Sequence, residues 1–95
     1  MNILGYNYTV TANVDADTMG CFGRFHTKNL HIQIPVDLCA QQKISAVLHE
    51  ALEALNYHLG LDLEHKIITS LEAGLYQVLT ENGVDLAPLA KDVLK

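Results

Sequence analysis

The chain has 95 residues, which is enough for one domain with a modest hydrophobic core and too few for two. Hydrophobic residues make up 49% of it, which favours a folded protein over a disordered one. Six basic residues against eleven acidic ones give a net charge of −5, which argues against nucleic acid and anionic membranes as main partners.

The N-terminal third is predicted to be β-structure. Residues 2–12 are rich in Tyr, Thr, Val and Ile and predict a strand with one solvent-facing side, and residues 13–19 predict a polar loop. Residues 20–26 and 30–35 predict the two strands of a hairpin whose turn is at 27–29. The second hairpin strand has the period of two that is typical of a half-buried strand, shown by the alternation of Leu30, His31, Ile32, Gln33 and Ile34.

The spacing of apolar residues then changes to three and four. This predicts an amphipathic helix from about Ala40 to Leu59, ended by Gly60. Asp62 is a predicted N-cap for a second helix that runs to about Glu81. Its apolar stripe is predicted to be core and consists of Ile67, Ile68, Leu71, Leu75, Val78 and Leu79.

A short helical turn is predicted after Pro88, in the tail. Strands followed by two helices predict an α+β fold for residues 1–95 as a single domain, with a small antiparallel sheet of about three strands packed on the helices.

The two cysteines, Cys21 and Cys39, do not form a C-x-x-C pair. The sequence has no N-terminal signal-peptide pattern and no apolar stretch of membrane-spanning length. These features predict a cytosolic protein with two reduced structural thiols, and a redox pair is the alternative.

The first predicted helix carries His49, Glu50 and Glu53 within one short run. Residues four apart lie on one helix face, so His49 and Glu53 can reach the same ion, while Glu50 lies about 100° around the helix, beside it. Two His and one Glu are an accepted zinc ligand set, and in His-Glu-x-x-His metalloproteases the Glu takes a proton from water that the metal activates. The pattern therefore indicates one divalent metal ion, zinc by default, with Glu50 as the general base.

The ligand set needs a second His, and the downstream candidates are His58 and His65. His58 is nine residues beyond His49, so it points to the opposite side of the helix. His65 lies in the first turn of the second helix, after a tight connection. Whether it reaches the ion depends on the angle at which the helices cross.

The run HEALEALNYHLGLDLEHKIITSLEAGLYQVLTENG resembles small phage and prophage proteins related to the zincin-type metallopeptidases of the ImmA/IrrE class. Many such relatives carry His-Glu-x-x-His on the first helix and a Glu early in the second. Here Glu53 stands in place of the second His, and His65 aligns with the Glu. The resemblance therefore implies a reciprocal swap that keeps two His and one carboxylate, with His49, Glu53 and His65 as ligands of one zinc ion.

The same resemblance implies a minimal zincin fold and a phage or prophage origin, with action in the bacterial host cytoplasm. A peptide or protein substrate is expected to pair with an edge strand beside the site, and the candidate is the strand from His31 to Ile34.

Three further residues continue the faces of the two ligands. Asn56 lies two turns beyond His49, Glu72 two turns beyond His65, and Tyr76 one turn further. Each is a candidate for orienting a ligand or the substrate, and each has an ordinary surface or packing role as its alternative. His26 and His31 are predicted to be surface residues of the hairpin, with a second metal site as the alternative.

Zinc-dependent hydrolysis of peptide bonds is the leading functional hypothesis. A non-catalytic metal-binding or protein-interaction module of phage origin on the same scaffold is the alternative. A phage structural or regulatory protein without metal is the third hypothesis. The sequence leaves the oligomeric state open.

Overall fold

The structure is a computed structural model that describes residues 1–94. It confirms the predicted α+β class, with one long helix packed on a small sheet and a second long helix packed mainly on the first. In chain order the elements are β1 (Asn2–Ile3), β2 (Tyr6–Asn7), β3 (Thr9–Val14), α1 (Ala16–Met19), β4 (Arg24–His26), β5 (His31–Pro35), α2 (Ala40–Leu59), α3 (His65–Glu81) and a 3-10 turn (Ala87–Ala90).

The predicted single strand over residues 2–12 is broken in two places. β1 and β2 form a hairpin of their own, and β3 belongs to a different sheet. The turn between β1 and β2 consists of Leu4 and Gly5, with φ of 54° and 87°. Positive φ at both central residues is the geometry of a two-residue hairpin turn, which reverses the chain where the composition suggested continuous strand.

The three-stranded sheet has the order β3-β5-β4. β4 and β5 are antiparallel with Phe25 opposite Ile32, so the predicted hairpin is confirmed, although β4 begins only at Arg24. β3 runs parallel to β5, with Val10 opposite Ile32. The sheet is therefore mixed rather than antiparallel throughout.

The predicted free edge along the strand from His31 to Ile34 is wrong. β5 is the central strand and has β3 on one side and β4 on the other, so its backbone groups are already paired. β5 is central because β3 pairs with it in parallel. This pairing has no hairpin signal in the sequence that could have predicted it. α2 contacts β4 and β5. Of these two strands, β4 lies at the edge of the sheet and has one side whose backbone groups are unpaired.

Short helical segments lie in the predicted loop and in the tail. The loop over residues 13–19 holds α1, where the Asp15 side chain accepts a hydrogen bond of 2.7 Å from the Thr18 amide. The predicted turn in the tail is confirmed as the 3-10 turn, which includes Pro88 rather than following it. Ala90 in this turn and Val93 after it are buried in the core.

The core lies between the sheet and α2. Ile32 and Ile34 of β5 and Val47 and Ala54 of α2 have no exposed surface. Each fully buried Val or Ile side chain contributes roughly 1.5–3 kcal/mol to stability. This burial fixes which face of α2 turns towards the sheet, and therefore which residues remain for contact with α3.

The connection between the two long helices differs from its prediction at one end. Gly60 ends α2 with a φ of 62°, as predicted. Asp62 is not the N-cap of α3, because it has a left-handed φ of 56° within the loop; the N-cap is Glu64. The Leu63 amide donates to Asn56 Oδ1 (3.0 Å), and Asn56 Nδ2 donates to the Leu63 carbonyl (3.3 Å), so the side chain of α2 holds the loop.

The prediction that the apolar stripe of α3 is core is wrong for most of its members. Ile68 is buried and Leu79 half-buried, whereas the other four, Ile67, Leu71, Leu75 and Val78, are exposed. α3 packs mainly on α2 and therefore has only one covered side. No helix within residues 1–94 is both long and apolar enough to cross a membrane.

Candidate metal centre

The middle of α2 supplies three of the predicted site residues. His49 and Glu53 lie one turn apart on the side that faces α3, and both are half-buried. Glu50 is buried, with 6% of its surface exposed. The packing of Val47 and Ala54 against the sheet orients this part of the helix.

The first residue of α3 supplies the third predicted ligand. The tight loop after Gly60, held by Asn56, turns the chain back so that His65 lies opposite His49 and Glu53. The sequence left open the angle at which the two helices cross. In the structure, this angle is set by a short loop whose backbone is held by two hydrogen bonds to one side chain. His65 remains 73% exposed, so its side chain has room to move.

The donor atoms of these three residues form one group. One ligand atom from each of His49, Glu53 and His65 lies within 4.8 Å of the other two, and His65 Nδ1 is 3.6 Å from Glu53 Oε2. In a tetrahedral zinc site with bonds of about 2.0–2.2 Å, ligand atoms lie about 3.4 Å apart. Side-chain movements of up to about 1.4 Å, the largest of them available to the exposed His65, would close the group around an ion. The residues therefore fit one zinc ion in number and chemistry, and in spacing after that movement.

Electrostatics favour the ligand form of His49. Burial, the largest influence, lowers the pKa of His49; the neighbouring His65 lowers it further, while Glu53 and Glu72 partly offset the effect. A lowered pKa keeps the imidazole neutral at pH 7, and the neutral imidazole is the form that binds a metal ion.

Glu72 of α3 lies close to two side chains of α2, one of which is His49. Its Oε1 lies 3.8 Å from His49 Nδ1, and its Oε2 accepts a hydrogen bond of 3.0 Å from Ser45 Oγ. Glu72 thus lies where it can orient the His49 ring, which is one of the two roles that its position on the helix left open. Ser45 was not predicted; its spacing of four residues before His49 is the signal that could have identified it.

Glu50 lies beside the ligand group and borders a cleft of about 520 Å³. The cleft is formed by the segment 21–23, by α2 and by α3, and its apolar side includes Phe22, Leu38 and Ala46. Burial in the first place, and the charge of Glu53 in the second, raise the pKa of Glu50 to about 7. A carboxyl group with a pKa near neutrality can both accept and return a proton at physiological pH.

Gly23 allows the backbone before β4 to lie against the Glu50 carboxyl group. A Cβ at position 23 would be 2.7 Å from Glu50 Oε2 and 3.0 Å from its Cγ. The first distance is shorter than any normal contact between carbon and oxygen. A larger residue at position 23 would therefore displace the Glu50 carboxyl group where the segment 21–23 closes this side of the cleft, a constraint that the sequence alone did not reveal.

The other residues singled out in the sequence lie outside the ligand group. The polar side chain of Asn56 is used by the loop rather than by a ligand. Tyr76 is half-buried on α3, and it is not among the residues that line the cleft. His58 lies elsewhere, as predicted, with its Nε2 2.6 Å from the Tyr8 hydroxyl and its ring stacked on Tyr6.

The hairpin histidines and the cysteines show no second site among residues 1–94. His31 shares a hydrogen bond of 2.6 Å with Thr11, and neither His26 nor His31 belongs to a group that could hold an ion. Cys21 and Cys39 are free, as the prediction of reduced thiols requires, and both are exposed.

Comparison of the chain with models of known protein families, with curated proteins and with solved structures gives no match. The resemblance to the small zincin-like phage proteins therefore stays a prediction from the sequence. The chemistry of the site rests on its own geometry.

Replacing Gly23 by Ala is expected to move the Glu50 carboxyl group towards solvent. Because burial raises the pKa of Glu50, the displaced group should titrate nearer to its ordinary range, and carbon-detected NMR of the labelled side chain measures this. The contact involves a flexible side chain, so the cost in stability should be modest, about 1–2 kcal/mol. Gly74→Ala is the control, since no atom lies within 4 Å of a Cβ there. An unchanged pKa of Glu50 in Gly23→Ala would contradict the proposed contact.

Glu50→Gln is expected to stabilise the metal-free protein as the pH rises. The pKa of Glu50 is about 7 in the folded protein against an ordinary value of 4.5, so the folded state favours the protonated form. Its contribution is present below pH 4.5 and is lost as the pH rises through 7, whereas Gln cannot ionise. Allowing for solvent in the cleft, the variant should gain on the order of 1–2 kcal/mol over wild type between pH 4.5 and 8.

Urea unfolding at both pH values, in the presence of a chelator, measures this gain. An equal difference between variant and wild type at the two pH values would show that Glu50 titrates normally.

Proposed function

We propose that this chain binds one zinc ion through His49, Glu53 and His65 and hydrolyses peptide bonds with Glu50 as the general base. The observation that carries the proposal is the meeting of three suitable donors from two helices beside a buried carboxyl group. Such a carboxyl group costs stability near neutral pH and is therefore expected where chemistry requires it.

A bound zinc ion would supply Lewis acidity, which makes water more acidic and polarises a carbonyl group. Glu50 accepts a proton from the water as the water oxygen attacks the peptide carbonyl carbon. When the C–N bond breaks, Glu50 returns this proton to the departing amine. Glu72 positions His49 throughout, and the apolar wall of the cleft limits access of bulk water to Glu50.

The free edge of β4 replaces that of β5 as the place where an extended peptide would pair. Gly23, just before this strand, borders the cleft, and Phe25 within it borders a second depression of about 360 Å³ together with Glu53 and Tyr57. The ligand group lies between these two concave surfaces. A peptide along β4 would therefore pass the proposed metal with a side chain on either side of it.

The phage or prophage origin and the action in the bacterial cytoplasm follow only from the sequence resemblance, and they form part of this proposal on that basis. The unfolded or extended segments of proteins are the proposed substrate class, since pairing along β4 requires a substrate with free backbone groups.

Zinc analysis of the purified protein after equilibration with zinc tests the ligand set. We expect about one zinc ion per chain in the wild type and an affinity lower by about 100-fold or more in His65→Ala, because two protein ligands hold zinc poorly. His26→Ala is the matched control, an exposed His outside the ligand group. Equal zinc content in His65→Ala and wild type would contradict the ligand set.

Glu50→Gln separates metal binding from catalysis. The variant should retain its zinc, since Glu50 is not among the ligands, and lose about 10²- to 10⁴-fold in the hydrolysis of an unfolded protein substrate. Mass spectrometry of the products over time measures the rate. Zinc binding without hydrolysis by the wild type would contradict the peptidase and favour the non-catalytic metal-binding module.

A further inference from the structure

The second depression lies between β4, the end of α2 and the loop that follows α2. Its volume is about 360 Å³. The residues around it are Phe25, Glu53, Asn56, Tyr57, Gly60 and Asp62. Glu53 also belongs to the candidate ligand group, so a side chain seated in this depression would lie next to the proposed metal. The depression is therefore placed to recognise one side chain of a bound peptide.

Two aromatic rings form the apolar part of the second depression. Phe25 and Tyr57 meet edge to face with ring centres 6.3 Å apart, and Tyr57 is 59% exposed. An exposed aromatic ring can cover the alkyl stem of a long side chain, and its face attracts a cation. Lysine and arginine side chains combine these two parts, a long apolar stem and a positive end.

Asp62 brings to the depression a carboxylate that caps no helix. The N-cap of α3 is Glu64, and among residues 1–94 the Asp62 side chain has no ion pair. Its φ of 56° is a conformation that glycine or asparagine would also adopt, so the backbone of the loop does not require an acidic residue here. The negative charge of Asp62 is therefore available to a ligand.

The charges around the second depression favour a cation. Among residues 1–94 it is bordered by two carboxyl groups and by no Lys, Arg or His side chain. Glu53 is assigned to the proposed metal, which leaves Asp62 to pair with a bound side chain. An exposed ion pair alone contributes little, whereas a cation held by a carboxylate and by an aromatic ring is bound at two points.

The period of β4 relates the second depression to the cleft beside Glu50. Gly23 borders the cleft, and Phe25, two residues later, borders the depression. Residues two apart in a strand share a face and are about 6.7 Å apart. A peptide paired along β4 has the same period. Two of its side chains separated by one residue would therefore reach the cleft, which has an apolar side, and the depression together.

We propose that the second depression binds a Lys or Arg side chain of the peptide, with its stem against Phe25 and Tyr57 and its cation beside Asp62. An apolar side chain two positions away occupies the cleft. This subsite rests on the proposed function, because it uses the same peptide path along β4. It narrows the substrate class to extended segments in which one residue separates an apolar residue from a basic one.

Peptide affinity measured without turnover tests this preference. Fluorescence anisotropy is recorded for Glu50→Gln with zinc and for wild type with a chelator, so that neither protein cleaves the peptide. With both proteins, a labelled peptide in which one residue separates Leu from Lys should bind about 5- to 10-fold more tightly than its analogue with norleucine in place of Lys. Both orders of Leu and Lys are measured, because an added strand can be parallel or antiparallel, and one order should show the gain.

Moving Lys next to Leu should abolish the gain, because neighbouring side chains point to opposite faces of a strand. The moved residue leaves the charge of the peptide unchanged, so it controls for the general attraction of a basic peptide to a chain with a net charge of −5. An equal gain at both spacings would overturn the proposal, and so would the absence of binding by every peptide up to about 1 mM.

Three variants test the residues of the subsite. Asp62→Asn should reduce the preference for Lys over norleucine to about 2-fold or less. Glu64→Gln is the matched control, since it removes the same charge from an exposed residue that does not border the depression, and it should keep the preference. Tyr57→Leu should weaken the Lys peptide by about 2- to 5-fold and change the norleucine peptide less. Equal losses of preference in Asp62→Asn and Glu64→Gln would overturn the subsite.

Circular dichroism checks that each variant is folded, and hydrolysis of the same peptides decides the proposed function separately. Binding with the Lys preference, lost in Asp62→Asn, supports the subsite even if zinc-loaded wild type cleaves none of the peptides, in which case the peptidase fails. Cleavage at equal rates with Lys and norleucine, together with equal affinities, overturns the subsite and leaves the peptidase standing.

Discussion

The candidate metal centre depends on the short return of the chain between α2 and α3. Gly60 ends the first helix in a left-handed conformation, and Asn56 then binds the backbone of Leu63 through both of its polar atoms. These contacts determine where α3 begins, and its first residue is His65. A loop one residue longer or shorter would turn this imidazole about 100° away from His49 and Glu53. The asparagine that was predicted to orient a ligand directly thus acts on the site through the backbone.

Glu50 adds a cost that the fold itself does not require. A carboxyl group buried beside Glu53 and against the backbone of Gly23 has its pKa raised to about 7, and an apolar residue at this place would avoid that penalty. Strongly perturbed acids in clefts are concentrated at functional sites. The segment around Gly23 lies against this group and closes the cleft. The burial of Glu50 therefore depends on two segments that are distant in the sequence, α2 and the residues before β4.

The sequence predicted best what depends on a single helix. The spacing of apolar residues identified α2, and the same periodicity placed His49, Glu50 and Glu53 on their faces and separated His58 from them. The features that depend on how elements meet were predicted poorly. Periodicity showed that α3 is amphipathic but could not show that most of its stripe stays uncovered by the rest of residues 1–94. The parallel pairing of β3 with β5, which makes β5 a central strand, involves residues distant in sequence and left no local signal. Asp62 has the composition of an N-cap but a left-handed backbone, which only the loop geometry reveals.

Crystallography of the zinc-soaked protein, with anomalous scattering recorded on both sides of the zinc absorption edge, tests the metal centre most directly. The expected result is one zinc peak between α2 and α3, with His49, Glu53 and His65 at about 2.0–2.2 Å from it and Glu50 close by but not bound. No peak at this position, or a zinc ion held by other residues while these three stay apart, would contradict the metal centre.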